Sequence, residues 1–335
     1  MAKQAGMSTT TISRYFNHPE KLSDKTREKI RKVITKYGFV PNELARGLRS
    51  KRKNLVAVIL EKDREAFLAF PYFSIFSASL LNILTRNNIH MITMFEESEK
   101  KPHITYRNFV QKNLVDGFIV MEMREDDKRI KFLLEHNEHF VTIGRNRKAK
   151  NYTYVDCDNV QGGFLATNHL IGLGCKRILM LGGYRDNYDI QMRLDGYKNA
   201  LEGASIPYDE ELVLAGDFTS LVLEHPDQRF ASYDVLKNVI LEKKVDAVFC
   251  TSDVSAIGIL KLLKYQKIDI PVVGFDDIPL AMMYDPTITT IRQPIKQIAE
   301  KAGEKLIEKI NGNGVQSEEL PVELIIREST AKFMK

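Results

Sequence analysis

Thr9, Thr10, Ser13 and Arg14 recur at helical spacing, with Asn17 just beyond, so one face of a short helix offers hydroxyls and a planar guanidinium. Small side chains let a helix approach the floor of a major groove, and an arginine can donate twice to a guanine edge. Alone, such a Ser/Thr cluster reads as the decoration of a solvated helix. The surrounding charge and the Ala5-Gly6-Met7-Ser8 turn decide for the groove. Residues 1–53 carry 14 Lys/Arg against 4 Asp/Glu, an excess of +10; with +5 overall, residues 54–335 carry −5. The cationic excess is one module, and the expected partner is a polyanion.

A second set of residues has different chemistry. Asp253 and Asp276 follow short apolar runs, Arg193 stands near the start of an expected helix, and Phe218 and Tyr72-Phe73 offer flat faces. Carboxylates, a forked donor and an aromatic platform suit a polyhydroxylated ligand: hydroxyls take paired hydrogen bonds, and the C–H face of a sugar stacks on a ring. Each piece alone is weak. A strand-end aspartate caps the next helix at least as often as it binds anything, and an aromatic after a proline is usually core.

The elements that must position the first set are three helices. Residues 2–5 read as a helix end stopped by Gly6, and Ser8 is an N-cap for a helix from about Thr9 to Phe16. Ser23 caps a third helix with Asp24 in its first turn, Ile30, Val33, Ile34 and Tyr37 as its apolar stripe, and Gly38 as its stop. After Pro41, Asn42 can cap a segment of about two turns that is too short to hold alone in water. Leu44 and Leu48, flanked by Arg46 and other cations, have the composition of a wedge for a minor groove; the same residues also read as a linker whose leucines touch the body.

The second set needs a different scaffold. Apolar runs at Leu55–Leu60, Ile89–Phe95, Val115–Met121, Phe140–Gly144, Tyr152–Val155, Arg177–Gly183, Val245–Cys250 and Pro271–Phe275 alternate with amphipathic stretches such as 161–173 and 254–266. Continuous apolar strands separated by helices predict parallel βαβ layers covered on both faces. The fold class is α/β: a helix-turn-helix head and hinge over residues 1–53, then two doubly wound lobes, 54–152 with 284–313 and 153–283 with 314–335. Ligands bind beyond the carboxyl ends of strands in open α/β sheets, so the cleft between the lobes is the expected site.

Composition narrows the remaining classes. Cys157, Cys175 and Cys250 are odd in number and widely spaced, which fits reduced thiols rather than a disulfide framework. The amino-terminal residues lack a signal-peptide core and no apolar run reaches the ~18 residues of a membrane span, so a cytoplasmic protein is expected. The sequence has no G-x-S-x-G elbow, Walker A sequence or Cys-x-x-Cys pair, and His136 and His139 lack zinc-protease spacing. Neither catalysis nor a cofactor or metal is expected. A sugar-binding receptor of a transport system would share the body's architecture but has no use for residues 1–53.

Residues 5–14, 22–27, 37–42 and 45–48, in fixed order, resemble the DNA-binding head and hinge of the lactose-repressor family. The resemblance continues through residues 272–279, 289–294 and 327–330, and so spans essentially the whole chain. It implies that Thr9, Thr10 and Arg14 read base edges and that Ser8, Thr11, Ser13 and Asn17 contact phosphates or position the helix. Leu48 takes the place of the intercalating hinge leucine, with Ala45 beside it. In the body it implies that Arg193 and Asp276 hold ligand hydroxyls, that Ser252 and Asp253 line the cleft, and that Phe218 stacks. Residues 143–145, which include Arg145, and residues 154–159 are similar to maltose-type members, implying a disaccharide or oligosaccharide effector. The sequence departs from the family pattern in three places: it lacks a Thr-Ile-Lys-Asp-Val type segment before Met1, so that either the start codon is placed too late, the favoured reading, or the head is truncated and packs less well; it has an insertion over 224–229; and it has Cys175 where histidine is common. No leucine heptad follows Thr330, so a two-fold dimer on a pseudo-palindromic operator is expected rather than a tetramer.

Overall fold

A computed structural model describes residues 2–17, 19–37, 52–60, 71–96, 103–146, 148, 150–182, 187–216 and 231–334. The chain forms two compact units, Met1–Lys53 and Asn54–Lys335. The hinge residues Asn42, Ala45, Arg46 and Leu48, the stacking candidate Phe218 and the insertion at 224–229 lie outside the described residues, as does the side chain of Asn17.

The first unit holds α1 (Ala2–Ala5), α2 (Thr9–Asn17) and α3 (Asp24–Tyr37), with a 3-10 turn at Pro19–Lys21. Gly6 ends α1 at φ +60°, a conformation that side chains disfavour, although a Cβ there would meet nothing closer than 4.0 Å. Glycine is needed for its backbone, not for space. Ser8 Oγ accepts from Thr11 N at 3.1 Å and pairs with Thr11 Oγ1 at 2.9 Å, and Ser23 makes the same arrangement with Thr26. The core is Ala5, Ile12 and Ile30, ringed by Met7, Tyr15, Leu22, Val33 and Ile34.

In the second unit, β1 (Leu55–Leu60), β2 (His90–Phe95), β3 (Gly117–Val120), β4 (Phe140–Ile143) and β5 (Thr153–Cys157) are parallel strands of one sheet. The next five in the chain are β6 (Ile178–Gly182), β7 (Val213–Ala215), β8 (Ala247–Cys250), β9 (Val272–Asp276) and β10 (Thr289–Arg292). Two short strands follow, β11 (Glu318–Leu320) and β12 (Glu323–Ile325). The first sheet runs β11-β5-β4-β3-β1-β2 and the second β12-β10-β9-β8-β6-β7, where only the β10–β12 pair is antiparallel. Strands β1, β3 and β4 are buried almost throughout, as their continuous apolar runs require.

This topology corrects the expected lobe boundaries. β5 pairs with β4, with Ile143 opposite Val155, and β11 pairs with β5, so residues 153–157 and 318–320 belong to the first lobe. β10 pairs with β9 and places residues 289–292 in the second. The chain crosses between lobes three times: after Cys157, after Arg292, and between β11 and β12. Lobe membership is set by strand pairing, which is not local in sequence.

Helices cover both sheets. On the first lie α4 (Pro71–Arg86), α5 (Ile104–Gln111), α6 (Lys128–Glu135) and α12 (Ile295–Ile310). Two further helices, α7 (Asn159–Gly172) and α8 (Tyr188–Gly203), approach backbone to backbone. A Cβ on Gly163 would stand 2.1 Å from Arg193 O, and one on Gly196 would stand 2.0 Å from Val160 O. The second sheet also carries α9 (Ala231–Glu242), α10 (Asp253–Gln266), α11 (Pro279–Met283) and α13 (Glu328–Ala331). Among the described residues no helix is long and apolar enough to cross a membrane.

Candidate functional site

In the head, the local sequence fixes which face of α2 is free. Ile12 turns into the core, leaving Ser8, Thr9, Thr10 and Arg14 exposed and Thr11 and Ser13 half-buried. Thr11 spends part of its hydrogen-bonding capacity on the Ser8 cap. The remaining face presents two threonine hydroxyls and a guanidinium with no bulky side chain between them, as close approach to a polar surface requires.

In the body, a second constellation forms where strands of both sheets end. Arg193, on α8 and 7% exposed, donates from Nε to Asn159 Oδ1 at 2.8 Å and from Nη1 to Thr251 O at 2.5 Å. Its guanidinium carbon lies 3.6 Å from the centroid of the Phe275 ring. A charge this buried must be paired and hydrogen-bonded. Asp276, at the end of β9 with φ 114°, faces it and accepts from Gln293 Nε2 at 2.5 Å. Burial raises the Asp276 carboxyl to about 6, and the nearby Arg193 charge limits the rise.

The first lobe supplies the opposite wall. Arg145, beyond β4, holds Glu319 with two donors at 2.7 and 3.1 Å and reaches Met192 Sδ at 3.4 Å. Its Nε is 3.8 Å from Asp156 Oδ2. Asp156, 4% exposed at the end of β5, accepts at Oδ1 from Cys157 N and Asn159 Nδ2, and its carboxyl is raised by burial and then by Asp189. Asp189, one helical turn before Arg193, is likewise raised to about 6 by burial. The two lobes also touch directly here, since Tyr188 N donates to Met123 O at 2.9 Å and Arg124 bridges Asn187.

The structure therefore brings Arg145, Arg193 and Asp276 to one cleft and assigns other expected residues elsewhere. Asp253 is fully buried and both its oxygens are taken, Oδ1 by Thr290 Oγ1 at 2.6 Å and Oδ2 by Ile278 N at 2.9 Å. Its place is inside the fold, not on the cleft. Ser252 caps α10, accepting from Ser255 N at 3.1 Å. Phe73 is packed in the core with Phe76 and Leu80, and the neighbouring Tyr72 is half-buried against the same core, its ring stacked on Phe76 with centroids 6.4 Å apart. The Tyr72 hydroxyl is pushed well up by burial, and the nearby Asp276 and Asp189 carboxylates add to the rise. Sequence reasoning passed over Asp156, Asp189 and Gln293. Of these, Asp189 carried a usable signal, an acid at i−4 from an arginine on the same helix.

Comparison with known proteins assigns the two units separately. Residues 1–42 match the family model "Bacterial regulatory proteins, lacI family", and residues 167–330 match "Periplasmic binding protein-like domain". The HTH-type transcriptional regulator CelR of Thermobifida fusca is 30% identical over 339 residues, covering 98% of this chain and 96% of that protein. The regulator MalR of Streptococcus pneumoniae serotype 4 is 28% identical over 278 residues, covering 83% of this chain and 82% of that protein. Among solved structures, the CelR–cellobiose complex superposes with a TM-score of 0.74 at 28% identity over 98% of both chains. The lac repressor dimer bound to operator gives 0.83 at 23% identity, covering 98% of this chain and 97% of that one, a likeness of fold. With a basic helix-turn-helix head and a two-lobed body matched along nearly its whole length, the chain belongs to the lacI family of bacterial regulatory proteins.

Proposed function

We propose that this protein is a cytoplasmic, dimeric repressor of sugar-metabolism genes whose affinity for a pseudo-palindromic operator is set by a small saccharide, in the size range of a disaccharide, held between the lobes. The observation that carries the ligand half is Arg193, stacked on Phe275 and hydrogen-bonded beside Asp276 at the base of the interlobe cleft. Forked donors and carboxylates there match the paired hydroxyls of a sugar, and the similar regulator CelR has been solved as a complex with cellobiose. In the head, Thr9, Thr10 and Arg14 read bases, while Ser8, Thr11, Ser13 and Asn17 set the helix against phosphates. The hinge residues Asn42, Ala45, Arg46 and Leu48 enter the minor groove. Arg145 joins the effector site from the first lobe. Saccharide-dependent closure of the lobes changes the spacing of the two hinges in the dimer, and segments too short to fold alone turn that change into gain or loss of operator contact.

Fluorescence anisotropy of the full-length protein on a labelled duplex, followed by a thermal-shift screen of mono- and disaccharides, tests this reading. DNA affinity should fall steeply with salt, by about 10³-fold or more between 50 and 200 mM for a protein with several phosphate contacts. A saccharide that raises the melting temperature should also change that affinity. A transport receptor would bind the sugar and ignore the duplex. Absence of DNA binding even in dilute buffer would overturn the proposal.

A further inference from the structure

Among the described residues, the interlobe cleft is short of positive charge. Asp156, Asp189 and Asp276 converge on it, and Glu122 adds its field to that of Asp189. Of the two arginines described there, Arg145 is held by Glu319 in two hydrogen bonds and reaches Asp156 Oδ2 only with Nε at 3.8 Å, while Arg193 is the main counter-charge to Asp189 and Asp276. Two carboxylate oxygens, Asp156 Oδ2 and Asp189 Oδ1, are buried without a hydrogen-bond donor among the described residues. Asp189 Oδ1 lies against Gly144, where a Cβ would stand only 2.8 Å away, so that oxygen of the second lobe is pressed towards the first.

A buried carboxylate oxygen with no donor is costly, and a second such oxygen within electrostatic reach makes it more so. Neutral hydroxyls can satisfy the hydrogen bonds but leave the charge. A protonated amine supplies three donors and a positive charge at once. No group of three or more His, Cys, Asp or Glu side chains among the described residues has the geometry to hold a metal ion.

We propose that the effector is a basic saccharide, one whose ring carries a free amino group placed between Asp189 and Asp156. This rests on the reading of the cleft as a sugar site and adds the ligand's class. The amine would donate to the two orphaned oxygens, while ring hydroxyls take Arg193, Asp276 and Gln293. The Asp189 and Asp276 carboxyls, both raised to about 6 by burial, accord with the same shortage.

Three β-1,4 disaccharides that differ only at C2 make the test: cellobiose with a hydroxyl, the di-N-acetylated amino sugar with a neutral amide, and the free diamine. Titration calorimetry with the full-length protein at pH 7 should give the diamine at least tenfold tighter binding than either neutral analogue. Asp189→Asn, which keeps the shape and removes the charge, should erase that preference, bringing the diamine to within about threefold of cellobiose measured on the same variant. Equal or tighter binding of a neutral disaccharide overturns the amine and leaves the saccharide reading standing. A diamine preference that survives in Asp189→Asn overturns the assigned contact. If no mono- or disaccharide binds, with or without an amine, both readings fail together.

Discussion

The head closes on three buried side chains, Ala5, Ile12 and Ile30, while the body sandwiches whole strands such as Val56–Leu60 and Phe118–Val120 between helices. Chain length explains much of this contrast, because a unit of about fifty residues removes a smaller share of its surface from water than one of nearly three hundred. The head's stability therefore rests on individual contacts and caps, each a large fraction of the whole. In the body, one lost contact is small against the total, and failure requires a change that separates whole layers. The same loss of free energy should have different outcomes in the two units.

The largest effect is expected where two backbones touch. Gly196→Ala places a methyl group 2.0 Å from Val160 O and 2.6 Å from Phe164 N, and neither atom can rotate away. α7 and α8 must part, carrying Asn159 and Arg193 with them. A cost of roughly 3 kcal/mol or more is expected from overpacking of this kind. Calorimetry should show the body's transition lowered by about 10 °C, with saccharide binding lost and non-specific DNA binding by the head retained at temperatures where the body is folded. A body transition within 2 °C of wild type, roughly half a kcal/mol, would show the close approach to be relaxed in solution.

The counterpart in the head is Ile30→Ala. Removing a fully buried isoleucine costs about 2–5 kcal/mol, which a unit with so small a core cannot absorb. Anisotropy should show duplex binding weakened at least tenfold at low salt, with the body's melting transition and saccharide affinity unchanged. If DNA binding persists at wild-type strength, the head draws its stability from something other than this core.

Legibility from sequence follows the same division. The strands of the body were readable because β1, β3, β4 and β8 lie between helices and need apolar side chains on both faces. β7, β11 and β12 were not, since each is three residues long and partly exposed, too short to show a strand period. The crossings between lobes were misplaced for a related reason: residues 289–292 join the second sheet through pairing with β9, and nothing local in their sequence states the partner. The cleft shows the limit most clearly. Asp253 and Asp276 are both aspartates after apolar runs, yet Thr290 and the Ile278 amide seal the first inside the fold while the second faces Arg193. Tyr72 and Phe73 are neighbours on one helix, where a turn of about 100° per residue leaves the first half-buried within the field of Asp276, Asp189 and Arg193 and the second wholly in the core. Residue type gave the inventory of the site, and only tertiary packing divided it.

The smallest effect bears most directly on the contrast, because it applies one device to both units. Ser8 caps α2 by accepting from Thr11 N at 3.1 Å, and Asp158 caps α7 by accepting from Gln161 N at 2.9 Å. Replacing either by alanine should cost about 1 kcal/mol. In the body, Asp158→Ala should lower the melting temperature by only about 2–4 °C and leave saccharide affinity within twofold. In the head the same energy multiplies the unfolded-to-folded ratio by about five, and Ser8→Ala also frays the turn that sets the angle of the Thr9, Thr10 and Arg14 face. Amide hydrogen exchange should then show α2 opening severalfold faster while the strands of the body keep their protection, and duplex affinity should fall by a factor of about three to ten. Equal exchange changes in the two units would mean that the head is as well buttressed as the body, and that its small core is supplemented by contacts beyond its own three helices.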